Sequence, residues 1–112
     1  MKGGKIRKGS SMHPVTVVFW RDIPAQVIVG KGRRGAKRHL GARFEQAIDR
    51  CAMKVGARDA DAYLAEWRKA PPFDVAGEAE DVAVAEAARL EAAYDDDRLR
   101  RLIANDGWDA RA

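Results

Sequence analysis

A run of β-branched and aromatic residues near the start of the chain limits the available folds more than any other feature. The segment Val15–Trp20 (VTVVFW) has high strand propensity throughout. A second run of this kind, Ala25–Val29, follows after Arg21–Pro24, where Pro24 cannot donate a ladder hydrogen bond and indicates a turn. So short a link favours an antiparallel hairpin. Because an isolated hairpin is only marginally stable in water, helices must cover one of its faces.

The rest of the chain has the periodicity and end residues of helices. Between Leu40 and Val55 apolar residues recur at three- and four-residue spacing, and Gly56 is a suitable C-terminal cap. Asp59 is a candidate N-cap, and Asp95–Asp97 interrupts or caps a later segment. These patterns predict helices over about Ala36–Val55, Ala60–Lys69, Glu78–Tyr94 and Arg98–Ala104.

The predicted fold is therefore α+β: an N-terminal antiparallel β-hairpin or small sheet packed against three to four α-helices. A length of 112 residues fits one domain. Residues 1–12 are mostly Gly, Ser, Lys and Arg, which cannot bury enough apolar surface to offset the entropy of ordering. We expect a disordered basic arm over 1–12, a single domain over 13–106 with a connection at Pro72–Val75, and a C-terminal tail over 107–112.

The composition argues against secreted and membrane proteins. The single cysteine, Cys51, permits no intramolecular disulfide and no cysteine-based zinc cluster, and it suits a reducing compartment. The run Val15–Trp20 is too short for a signal core, and no apolar stretch is long enough to span a bilayer. We therefore expect a cytoplasmic protein without a membrane partner.

Charge is distributed unevenly along the chain. Residues 1–40 contain ten Lys or Arg and one acid, whereas residues 71–112 contain five Lys or Arg and eleven acids. The loop Gly30–Gly35 (GKGRRG) follows a strand and opens the predicted helix, where backbone N–H groups favour anions. It lacks the Gly-Lys-Ser/Thr ending of a Walker loop, and it matches the dinucleotide fingerprint by letters alone. The candidate anion- or partner-binding residues are Arg21, Asp22, Lys31, Arg33, Arg34, Lys37 and Arg38. The alternative for the loop is a solvated basic loop, and the alternative for the charge asymmetry is that the two ends of the chain attract each other in the fold.

No catalytic or metal-ligating set is predicted. His13 and His39 have no partners at metal-ligand spacing. Cys51 shares the apolar stripe of its helix, which favours a buried inert thiol. Glu45 and Asp49 are flanked by arginines, and a salt-bridged helix face explains them without catalysis. We expect no cofactor and no metal, and an enzymatic role is not favoured.

Four segments resemble a known family. They are Val17–Val27 (VVFWRDIPAQV), Arg33–Lys37 (RRGAK), Arg43–Arg50 (RFEQAIDR) and Ala62–Trp67 (AYLAEW). They resemble the small bacterial "virulence factor" domain, which is also found attached to the repeat-containing protein called conserved virulence factor C. The resemblance covers Thr16–Arg68, and it implies a stand-alone accessory domain of unassigned molecular activity. It also implies, loosely, an association with corrinoid- and folate-linked methyl transfer.

Three hypotheses follow. The first is a non-enzymatic accessory domain whose basic surface binds an acidic protein or a phosphorylated ligand. The second is a nucleic-acid-binding protein, although Phe19, Trp20 and Phe44 lie on apolar patterns and are expected in the core rather than stacked on bases. The third is an accessory component of a methyl-transfer system, which requires a concave pocket with perturbed titratable groups.

Overall fold

The two apolar runs form an antiparallel pair, β1 (Met12–Trp20) and β2 (Ile23–Val29), in a computed structural model that describes residues 12–57 and 59–109. Val15 pairs with Val29 and Val17 with Val27. The register shifts after Val18 because Ala25 forms a bulge in β2. Met12 is thus the first residue of β1, and residues 1–11 of the predicted arm lie outside the described residues.

Three shorter strands extend this hairpin into a five-stranded antiparallel sheet. They are β3 (Ala36–His39), β4 (Trp67–Lys69) and β5 (Phe73–Ala76). The order is β3-β2-β1-β4. β5 also pairs directly with β1: β5 pairs with Met12–Val15 of β1, and β4 pairs with Val18–Trp20. Pro71-Pro72 separates β4 from β5, because proline cannot donate a ladder hydrogen bond.

Four helices pack with this sheet in the described part of the chain: α1 (Ala42–Lys54), α2 (Ala60–Ala65), α3 (Ala79–Ala93) and α4 (Asp96–Ala104). The predicted cap at Asp59 is confirmed, since its carboxylate accepts from the Ala62 N–H at 2.8 Å. Asp95 caps α4 in the same way, accepting from the Arg98 N–H at 2.9 Å. The predicted α+β class is therefore confirmed.

The core forms where α1, α3 and α4 meet the hairpin. α3 packs against β2 and β3, and α1 packs against β2 and α4. The largest fully buried side chains are Trp20 and Phe44. Around them lies a cluster of buried aliphatic residues from both strands and three helices, among them Val17, Val27, Ile48, Leu90 and Leu102.

Three predictions of secondary structure are wrong. Ala36–His39 is a strand paired with β2 rather than the start of a helix, and α1 begins only after Gly41. Trp67–Lys69 is a strand rather than the end of a helix, and the predicted connection at Pro72–Val75 contains most of β5. In each case pairing with a neighbouring strand satisfies backbone groups and overrides local propensity.

Candidate functional site

The glycine-rich loop is the connection between β2 and β3. Gly30 and Gly32 have φ angles of +68° and +59°, values that glycine adopts without strain. Gly35 is required for space instead, because a Cβ there would lie 2.6 Å from the Val29 carbonyl oxygen. A strand and not an α-helix follows this loop, so the prediction that the loop opens a helix is wrong, and no α-helix N-terminus there supplies backbone N–H groups to an anion. The glycines shape a tight turn.

Five of the predicted site residues lie together on this loop and on β3. Their side chains are exposed, and none forms an ion pair with another described residue. β3 is the last strand on its side of the sheet. We call this surface the basic edge; it consists of Lys31, Arg33, Arg34, Lys37 and Arg38.

The structure does not bring Arg21 and Asp22 to the basic edge. They connect β1 to β2, at the opposite end of β2 from the glycine-rich loop. β2 has seven residues, so its ends lie about 20 Å apart at about 3.3 Å per residue. The predicted surface therefore divides into two separate places.

Arg21 and Asp22 join the hairpin turn to the end of the chain. The Arg21 guanidinium donates to the Asp106 carbonyl oxygen at 2.7 Å and to the Glu66 carboxylate at 3.3 Å. It also stacks between two indole rings, 5.3 Å from the centroid of Trp20 and 5.2 Å from that of Trp108. Asp22 accepts from Arg68 and from the Asp109 N–H, each at 2.7 Å. These contacts hold residues 106–109 against the turn and are structural.

A cavity of about 530 Å³ opens on one face of the sheet. At β3 this is the face of His39, opposite to the face of Arg38. Its floor is one row of the sheet, because Val18 pairs with Gln26 and Gln26 pairs with His39. Residues directly opposite each other across antiparallel strands share a face. The floor is thus apolar at β1 and polar at β2 and β3.

The walls of the cavity come from α1, α2 and the start of β4. Glu45 and Ile48, three residues apart on α1, line one side. Tyr63 and Trp67 line the other, with their rings nearly perpendicular at 82° and their centroids 5.9 Å apart. Desolvation, with the nearby carboxylates of Asp49 and Glu45, raises the pKa of the Tyr63 phenol, so it stays protonated at neutral pH.

Sequence reasoning missed this cavity. Glu45 and Asp49 were predicted to pair with Arg43 and Arg50, but neither carboxylate forms an ion pair with a described residue. Arg43 instead binds the end of α3, donating to the Glu91 carbonyl at 2.6 Å and the Tyr94 carbonyl at 2.7 Å, and it contacts α4 through the Asp96 carboxylate at 3.3 Å. The available indication was the spacing of Glu45 and Ile48, which puts an acid beside the apolar stripe.

The remaining candidates have structural surroundings. His13 lies within β1, where it pairs with Val75. Cys51 is buried in the core, as predicted, and burial raises the pKa of its thiol. Within the described residues, no group of three His, Cys, Asp or Glu side chains is arranged to hold a metal ion. None of the helices in residues 12–57 and 59–109 is both long and apolar enough to cross a membrane.

Cys51 should react very slowly with a thiol reagent in the native protein. The thiol is inaccessible and protonated, so reaction must wait for an opening of the fold. We expect modification by Ellman's reagent at pH 7.5 to be about a thousandfold slower, or more, than in 8 M urea. Equal rates in the two conditions would contradict a closed core at Cys51.

A family model described as "Virulence factor" matches residues 18–103. The chain belongs to this family. The match confirms the resemblance and extends it from Thr16–Arg68 through α3 and most of α4. None of the curated proteins and none of the solved structures compared with the chain matches it.

The family region contains both surfaces described above. It includes the whole basic edge and every residue that lines the cavity. It ends before Trp108 and Asp109, which complete the packing around Arg21. The virulence factor domain of this chain therefore presents an exposed cationic edge beside a partly enclosed cavity.

Proposed function

We propose that this member of the virulence factor family is a non-enzymatic accessory domain whose basic edge binds an acidic segment of a partner protein. The observation that supports this is the set of five exposed cations without a carboxylate partner in the described residues. Isolated cations on a surface are common. Five on one loop and one terminal strand make a patch of positive potential that attracts anions and accelerates encounter with them.

Outside the basic edge, most of the described cations form ion pairs, with Arg50, Lys69 and Arg101 as the exceptions. Arg21 pairs with Glu66, Lys54 with Asp106, and Arg43 with both Glu91 and Asp96. None of the ion pairs of the described residues joins a cation of residues 1–40 to an acid of residues 71–112, so they give no support to an attraction between the two ends of the chain. The three unpaired cations elsewhere are far apart in sequence, whereas the five of the basic edge lie together on one loop and one strand, where they are available to a partner.

The shape of the edge favours an extended polypeptide over a single phosphate group. The space beside Gly35, where a phosphate would approach, contains the Val29 carbonyl oxygen and the Lys31 N–H of the turn itself. β3, by contrast, has a strand partner on one side only within the described residues. An added strand would gain main-chain hydrogen bonds there, with Lys37 and Arg38 on alternate faces meeting alternate acids.

Charge reversal at the basic edge should abolish partner capture. The variant is Arg33→Glu with Arg34→Glu, two exposed residues whose replacement leaves the core intact. We expect at least a tenfold loss of the partner recovered from a native lysate by the tagged protein, with less than about 0.5 kcal/mol change in unfolding free energy. The matched control is Arg50→Glu with Arg101→Glu, also exposed and outside the basic edge.

Nuclease treatment and salt decide what kind of partner is bound. A protein that is retained after nuclease, and lost on charge reversal at the edge but not in the control, supports the proposal. Capture that disappears with nuclease, with a steep salt dependence, would replace it with nucleic-acid binding. Equal capture by both variants would show that the basic edge has no part in recognition.

A further inference from the structure

The cavity between the sheet and α1 has the size and chemistry of a small-molecule site. Its volume of about 530 Å³ falls within the range of roughly 300–1,000 Å³ that is usual for ligand pockets. Val18 and Ile48 give it apolar walls, and both side chains are buried. A cavity of about 150 Å³ holds benzene, so a ligand of one or two fused rings would enter this space and occupy part of it.

Its aromatic wall favours a planar ligand. Tyr63 and Trp67 meet edge to face at 82°, an arrangement that fixes the angle between the two ring faces. Trp67 is held in place by β4, since it pairs with Trp20 of β1. A flat aromatic molecule can therefore stack on one ring while its edge meets the other.

The polar groups specify which edge the ligand presents. The Glu45 carboxylate accepts hydrogen bonds only, and it has no ion-pair or side-chain hydrogen-bond partner among the described residues. Gln26 and His39, on the floor, each offer donors and acceptors. A carboxylate is best matched by two parallel N–H donors, as in an amidine or guanidine.

Positive charges near the cavity restrict the choice further. Lys69 pairs with Val18 and Lys37 pairs with Ile28, so both lie on the cavity's face of the sheet. Asp49 and Glu45 oppose them with negative charge next to Tyr63. Because the lysines and the carboxylates offset each other, hydrogen bonds to Glu45 contribute more to the binding of a ligand than the net charge of that ligand does.

We infer that the cavity binds a small planar nitrogen heterocycle with two adjacent N–H donors, which stacks on Trp67 and donates both hydrogens to the Glu45 carboxylate. Gln26 and His39 hydrogen-bond the other edge of the ring. No residue of the basic edge lines this cavity, and the inference does not depend on the partner proposed for that edge.

The test is an NMR titration of the full-length, ¹⁵N-labelled protein with two matched probes. The first probe, 2-aminobenzimidazole, offers adjacent N–H donors; the second, 2-methylbenzimidazole, has the same rings without the amino group. We expect the first to shift the Gln26 side-chain amide and the Trp67 indole N–H, and to bind about tenfold more tightly than the second. Equal affinities, or shifts confined to residues outside the cavity, would overturn the inference.

Glu45→Gln separates the carboxylate from the shape of the cavity. Glu45 is exposed, so the variant should fold normally. It should weaken the 2-aminobenzimidazole complex about tenfold and leave 2-methylbenzimidazole unchanged. Glu80→Gln, an exposed acid on α3 away from the cavity, is the control and should change neither. If Glu45→Gln also leaves both affinities unchanged, the inference is wrong.

Discussion

Replacing Trp20 with alanine is expected to lower the free energy of unfolding by about 3–5 kcal/mol, the usual cost of removing a large buried aromatic side chain. Trp20 is 0% exposed. Its indole N–H donates to the Tyr63 carbonyl oxygen at 2.9 Å, and its ring lies 5.9 Å from that of Tyr63. The substitution thus leaves a cavity at the end of β1 and removes one of the two hydrogen bonds to the Tyr63 carbonyl, which also accepts from the Glu66 N–H at 3.3 Å.

Urea unfolding followed by circular dichroism measures this loss. A domain of this size typically has a total stability of about 5–15 kcal/mol, so the variant should approach the limit of folding at 37 °C. Trp20→Phe retains most of the packing and removes the donor, and it should cost about 1–3 kcal/mol. The difference between the two variants separates packing from the hydrogen bond.

Trp108 provides the control for this prediction. It is 43% exposed and stacks on the Arg21 guanidinium. Trp108→Ala should therefore cost about 1 kcal/mol. If Trp20→Ala costs no more than Trp108→Ala, Trp20 is not the centre of the core.

Local composition was sufficient for two elements. The run Val15–Trp20 and the Ala-rich helix within Glu78–Tyr94 form as predicted, because strand propensity determines the first locally, and alanine content with acids in the first turn determines the second. β3 and β4 were missed because each forms only by pairing with another strand, β3 with the adjacent β2 and β4 with the distant β1. Lys37, Arg38 and His39 have no strand pattern of their own, yet charged residues of this kind suit the terminal strand of a sheet.

The candidate site was predicted in part for the same reason. The basic edge is contiguous in sequence, so its charges are together in any fold. Arg21 and Asp22 were grouped with it by their charge, although a hairpin puts its turn and the end of its second strand at opposite ends. The cavity combines residues from four strands and two helices. No local pattern brings Gln26, Glu45 and Trp67 together; the sheet register and the packing of α1 do.

Gly107→Ala is expected to destabilise the protein by about 2–5 kcal/mol, because two costs apply at one position. Gly107 has a φ of +90°, where an L-residue is strained by about 1–2 kcal/mol. A Cβ there would also lie 3.0 Å from Cδ of Arg21 and 3.1 Å from Sγ of Cys51. Both neighbours are fixed, Arg21 by its ion pair and Cys51 by the core, so overpacking adds about 1–3 kcal/mol.

Gly56 allows these two costs to be measured separately. It follows α1 as Gly107 follows α4, and it has a φ of +79°. No atom lies within 4 Å of the position that a Cβ would occupy. Gly56→Ala should therefore cost about 1–2 kcal/mol, from backbone strain alone. The excess for Gly107→Ala in urea unfolding measures how firmly the chain end is held against the hairpin turn. Gly107 N–H donates to the Leu102 carbonyl at 2.7 Å, and its own carbonyl accepts from the Asp22 N–H at 2.8 Å. Equal costs at the two glycines would mean that residues 106–109 move away from Arg21 at little expense, and that the turn does not depend on them.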